Sequence, residues 1–133
     1  MSQENVEIVR RSTDAYNRGD LDGIVEHWAP DAVLDWSNSR GVDAGVYRGH
    51  DEIRAFTRRF LAAWDDVRVE IADPIVVDDD VLIVENVTYL RGRDGIETKA
   101  RSAWLTTFRD GHQTSLTLYQ TKQEALEAAG LSE

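Results

Sequence analysis

The sequence contains no cysteine, which excludes a disulfide framework, a thiolate zinc site and a cysteine nucleophile together. Proline is nearly as scarce, with 2 residues in 133, and no Pro-, Gly- or Ser-rich linker or internal repeat divides the chain. One domain spanning residues 1–133 is therefore expected. No apolar run approaches the roughly 18 residues of a membrane span. The N-terminal stretch MSQENVEIVRR lacks the basic-then-apolar order of a signal peptide. Positive charge is in short supply: 15 Lys and Arg stand against 25 Asp and Glu, for a net charge of −10. The basic residues are scattered singly, so the chain repels phosphate backbones, and neither nucleic acid nor anionic membrane is expected as a partner. No His/Asp/Glu spacing suggests a metal site. Asp78-Asp79-Asp80 lacks the Gly and distal Glu of a calcium loop and reads as a charged turn. The expectation is a cytoplasmic protein with no metal and no cofactor.

Apolar residues make up 41% of the chain, enough for a core at this length. Val6, Val9, Thr13 and Tyr16 fall on one helical face, and Gly19 supplies a stop. Asp20 caps a short second helix, with Leu21, Ile24, Val25 and Trp28 as its apolar stripe and Pro30 as its end. Ala32 to Ser37 alternates like a strand, and Asn38 to Gly49 reads as a Gly-punctuated rim loop. Asp51 and Glu52 open a third helix carrying Ile53, Phe56, Phe60, Ala63 and Trp64 at helical spacing. Beyond it the period changes to that of strands: Val67 to Val77, Val81 to Arg91, Ile96 to Phe108 and His112 to Gln120. Thr121 to Glu124 is a capping box for a last short helix that Gly130 ends. The layout is α+β: a curved antiparallel β-sheet, shaped as a cone, wrapped around three N-terminal helices, with a short C-terminal helix. A cone of this kind encloses a pocket.

Three segments, AYNRGDLD (15–22), WAPDAV (28–33) and YRGHDEIRAF (47–56), together with FRDG (108–111) and Glu124-Ala125-Leu126 near the end, resemble the SnoaL-like family. That family belongs to the superfamily of nuclear transport factor two and ketosteroid isomerase. The resemblance implies the cone fold, often dimeric through the sheet. Members include isomerases, polyketide cyclases, epoxide hydrolases, dehydratases and proteins with no chemistry. Carried over position by position, the isomerase's general base falls on Trp36, and its two oxyanion donors fall on Ser12 and Trp104. The cyclases' acid–base Asp falls on Leu118, and their His again on Trp104. Neither mechanism is retained intact.

The candidate ligand-binding wall combines these positions with the aromatics of the apolar faces: Tyr16, Trp28, Phe56, Phe60 and Trp64. Thr106 and Leu116 join it from the last two strands. Three residues are candidates for proton chemistry. His50 opens the third helix near the rim and could face the pocket as an acid or base, but a cap or first-turn role is the preferred reading. Asp35 lies near the isomerase's base, but strand alternation puts it on the face opposite Trp36. Glu85 depends on the Asp94-Gly95 turn. A two-residue turn sets Glu85 opposite Trp104, with Val87 and Tyr89 on the same face. A three-residue loop with a bulge puts Asn86 and Thr88 inside instead.

The preferred reading is binding of a small, largely apolar organic molecule. The alternatives are a cofactor-independent acid–base enzyme of isomerase, polyketide-cyclase or epoxide-hydrolase type, and a dimeric interaction module whose cone is packed shut. A homodimer through the outer sheet face is expected, with Leu82, Val84, Leu90 and Leu105 as candidates for that face.

Overall fold

The computed structural model describes residues 2–39 and 43–131. Helix α1 (Ser2–Arg18) buries Asn5, Ile8, Val9 and Thr13, which recur at three- and four-residue spacing, with Ala15 buried beside them. It stops where Gly19 takes φ 73°, a left-handed conformation that costs glycine little. Asp20 caps α2 (Leu21–Val25) by accepting from the Gly23 amide at 3.0 Å. Then come β1 (Trp28–Asp35), β2 (Val46–Arg48), α3 (Gly49–Ala62), β3 (Asp66–Ile71) and β4 (Ile75–Asp78). The chain closes with β5 (Val81–Arg91), β6 (Glu97–Arg109), β7 (His112–Tyr119) and α4 (Lys122–Ala128).

The seven strands form one curved, unclosed sheet in the order β2-β1-β7-β6-β5-β3, with β4 also paired to β5. All pairs are antiparallel except β1 with β7, which makes the sheet mixed. The N-terminal helices pack on the inner face. Ile8 and Val9 of α1 meet Leu82, Val84 and Phe108, while Ala15, Ile24, Val25, Trp28, Leu34, Ile53, Phe56 and Leu116 form the larger core. The short C-terminal helix lies on the outer face, where Ala125 packs with Ile83 and Ala103. Its cap is the Thr121 hydroxyl, which accepts from the Glu124 amide at 3.1 Å.

Several local expectations need correction. The second helix stops at Val25, so Trp28 belongs to β1 and Pro30 sits within that strand. The β1/β7 register shifts between Trp28 and Val33, and a bulge is where a residue without an N–H is tolerated. The rim loop contains the short edge strand β2, while its residues 40–42 lie outside the described residues. The stretch from Val67 to Val77 is two strands, β3 and β4, which share one edge of β5 on either side of a break containing Pro74. Leu82, Val84 and Leu90 face inward, and of the outer-face candidates Leu105 alone points outward, against the α4 cluster.

The β5–β6 hairpin decides which residues enter the cone. Gly92 donates to the Ile96 carbonyl at 3.0 Å, which leaves Arg93, Asp94 and Gly95 as a three-residue loop. Gly95 has φ 83°, and the Asp94 carboxylate accepts from the Ile96 amide at 3.0 Å. This is a turn closed by a left-handed glycine bulge, not a two-residue turn. Trp104 consequently pairs with Val84, and Glu85 pairs with Ala103.

Candidate functional site

Between the N-terminal helices and the inner sheet face lies a cavity of about 110 Å³. Helix α1 contributes Val9, Ser12, Thr13 and Tyr16, which recur every three or four residues and so share one face. Helix α3 contributes Ile53, Phe56, Thr57 and Phe60 by the same spacing. From β1 come Trp28 and Leu34, with Trp36 just beyond the strand's end. Thr88, Trp104, Thr106, Gln113 and Leu116 line it from the other inward strand positions, with Val69 at the edge. Phe56 is the aromatic hub: its ring stacks on Tyr47 at 4.4 Å, and Trp36 and Phe60 lie at 5.5 Å and 6.2 Å.

The polar groups in this wall are mostly committed to the backbone. Ser12, Thr13, Thr57 and Thr106 donate their hydroxyl protons to the carbonyls of Ile24, Val9, Ile53 and Leu82. Gln113 donates to the Ser115 carbonyl at 3.5 Å. Tyr16 is the one titratable side chain among the described lining residues. Burial raises its hydroxyl above the ordinary phenol range, so it stays protonated through neutral pH. The indole N–H groups of Trp28 and Trp104 are buried with no hydrogen-bond partner.

Of the sequence candidates, Ser12, Tyr16, Trp28, Trp36, Phe56, Phe60, Trp104, Thr106 and Leu116 are brought together around the cavity. Trp64 is not, because α3 ends at Ala62 and the helical spacing that aligned it with Phe60 stops short of it. Leu118 is buried beside Trp104 on the inner face but off the cavity wall. Val87 and Tyr89 take the outer face, by the hairpin register described above. Tyr89 lies under the Arg68 guanidinium at 4.4 Å and donates to Glu70 at 3.1 Å. Arg68 also hydrogen-bonds Glu70, and that bond chiefly holds the Glu70 carboxyl below its usual range.

None of the three proton-chemistry candidates lines the cavity. Glu85 is exposed on the outer face, where it meets solvent rather than indole. His50 Nε2 lies 2.8 Å from the Trp28 carbonyl oxygen, a contact that ties the start of α3 to β1. Asp35 accepts from the Ser37 amide and hydroxyl at 3.0 Å and 2.6 Å in a local turn, opposite the face of Trp36. Among the described residues, no group of three or more His, Cys, Asp or Glu is placed to hold a metal. None of their helices is long and apolar enough to cross a membrane.

Sequence reasoning missed Gln113, and it reached Thr88 only through the alternative of a bulged three-residue loop. Thr88 depends on the hairpin parity, and Gln113 reaches the wall only because the β6/β7 register shifts between Thr107 and Phe108. Val9 and Thr13 were legible, since they share the helical face of Tyr16.

The fold recurs in solved structures. TerC, co-crystallised with polyporic acid, superposes with a TM-score of 0.79 at 19% identity, covering 93% of this chain and 96% of its own. Rv0760c from Mycobacterium tuberculosis, in complex with estradiol-17beta-hemisuccinate, gives 0.77 at 16% identity over 90% and 95% of the two chains. In sequence, the uncharacterized protein Rv0034 of Mycobacterium tuberculosis is 27% identical over 124 residues, which cover 93% of this chain and 94% of the relative. Residues 9–116 match the SnoaL-like domain. With most of its length matched in this way, the chain belongs to the SnoaL-like family.

Proposed function

We propose that this protein binds a small, largely apolar organic molecule inside the cone. One observation carries the reading: the cavity wall is largely aromatic and aliphatic, and its described residues include no carboxylate, imidazole, ammonium or guanidinium. Proton transfer in this fold needs a base within reach of the substrate. By the resemblance set out above, Trp36, Leu118 and Trp104 take the places of the isomerases' base and of the cyclases' Asp and His. The ligands held by TerC and Rv0760c, proteins of the same architecture, support a binding role for the cone.

Cavity size bounds the ligand. An engineered cavity of about 150 Å³ holds one benzene ring, so a space of about 110 Å³ suits a molecule built on a single ring. Anything larger requires side chains of the wall to move apart.

Trp28, Trp36 and Trp104 make the wall its own reporter. In a titration with single-ring hydrophobic ligands, tryptophan emission is expected to change saturably, and Trp104→Phe is expected to diminish the change. No response across such a panel, with the protein folded, contradicts the proposal.

A further inference from the structure

We propose that the open edge of β6 pairs with the same edge of a second copy of this chain, antiparallel about a two-fold axis at Lys99, so that two cones share one continuous sheet. Strand β6 has β5 beside it from Glu97 to Thr107, but β7 flanks it only from Ala103 onward. Glu97 to Arg101 are exposed along the edge that remains. The hairpin fixes which backbone groups are free there. Gly92 donates to the Ile96 carbonyl, and bonded pairs alternate along an antiparallel ladder, so Thr98, Ala100 and Ser102 direct their N–H and C=O groups to β5. Glu97, Lys99 and Arg101 point theirs the other way, where no strand among the described residues takes them. At the opposite edge of the sheet, Val69 of β3 also points away from β5. There the Asn17 side chain closes the edge, accepting from the Val69 amide at 2.8 Å and donating to its carbonyl at 2.9 Å.

An unpaired edge is a template for another strand, and charged side chains commonly guard it. On β6 the order of the charges favours a second copy. About an axis at Lys99, Glu97 stands opposite Arg101 of the second copy, and Arg101 opposite its Glu97, on the outer face. Neither residue has an ion pair within its own chain among the described residues. On the inner face uncharged Thr98 meets Ala100. Lys99 faces its own copy and is the one like-charged pair, but its Nζ lies 5.6 Å from the Tyr89 ring centroid of its own sheet, which draws it aside. This register puts all three free residues into bonded pairs. A slip of two residues either way loses one of them. The arrangement differs from a face-to-face dimer, in which the outer sheet surfaces meet and the β6 edges stay open.

Sedimentation equilibrium up to about 1 mM protein, a range suited to a small interface, tests the pairing. The wild type is expected to form a dimer. Glu97→Arg alone and Arg101→Glu alone each set like charges opposite one another, and each is expected to weaken the dimer about tenfold. An equimolar mixture of the two variants places opposite charges at both pairs again, and is expected to associate with wild-type strength. Amide hydrogen exchange of the wild type gives a second reading that needs no variant. As concentration rises, protection is expected to grow at Glu97, Lys99 and Arg101, while Thr98 and Ala100, already bonded to β5, stay unchanged. A monomer at every concentration overturns the proposal. So does a dimer equally strong in both single variants, which would place the contact elsewhere, or protection that does not grow at those three amides. The exchange reading alone decides the matter if the variants do not fold.

Discussion

Tyr16 is held neutral by the protein around it. Its folded-state pKa lies above the ordinary value of 10.0, and desolvation is the cause. Below pH about 10 the folded and unfolded chains carry the same proton, and the group leaves stability unchanged. Above it the unfolded chain releases the proton and the folded one does not, so stability falls as pH rises toward the folded pKa. The loss expected from this residue is about 1.4 kcal/mol by pH about 11. Urea denaturation at about pH 9 and about pH 11 measures it, and Tyr16→Phe is expected to remove that part of the difference. An identical pH dependence in the variant contradicts the placement. The residue was legible in sequence because Val9, Thr13 and Tyr16 lie on one helical face. Glu85 was not, because a strand residue's face depends on a turn ten residues away, and that turn has two permitted lengths.

The β5–β6 hairpin shows how a short local feature settles an element's role. Asp94-Gly95 correctly marks a turn, yet the same dipeptide fits a two-residue loop and a three-residue loop ending on a left-handed glycine. The second form occurs, with Gly95 at φ 83° and nothing within 4 Å of where a Cβ would sit. A side chain there meets no neighbour, so its cost is that of backbone conformation alone. Gly95→Ala is expected to destabilise the protein by about 1–2 kcal/mol. The urea midpoint should fall while its slope stays unchanged. A midpoint equal to wild type contradicts the left-handed assignment. Elements whose limits are set by their own side chains were legible: α1 up to Gly19, β5 from Val81 to Arg91, and α4 behind its Thr121 cap. Those set by bulges and breaks, such as β1 through Pro30 and the β3/β4 division, were not, because a register shift leaves no periodic signal.

Across the whole molecule, the two sheet faces do different work. The outer face carries α4 over Ile83 and Ala103 at one end and the Arg68–Glu70–Tyr89 cluster at the other. The inner face, with α1 and α3 across it, leaves a cavity that is walled by aromatic rings and free of charged side chains among its described residues. This inner space, and not the outer face, is proposed to take up a small apolar molecule. Intermolecular nuclear Overhauser effects from α-methylstyrene to the assigned protein test it most directly. Cross-peaks are expected to side-chain protons of Trp28, Phe56, Trp104 and Leu116, and none to Val87 or Tyr89. Cross-peaks confined to the outer face, or none at saturating ligand, would contradict it.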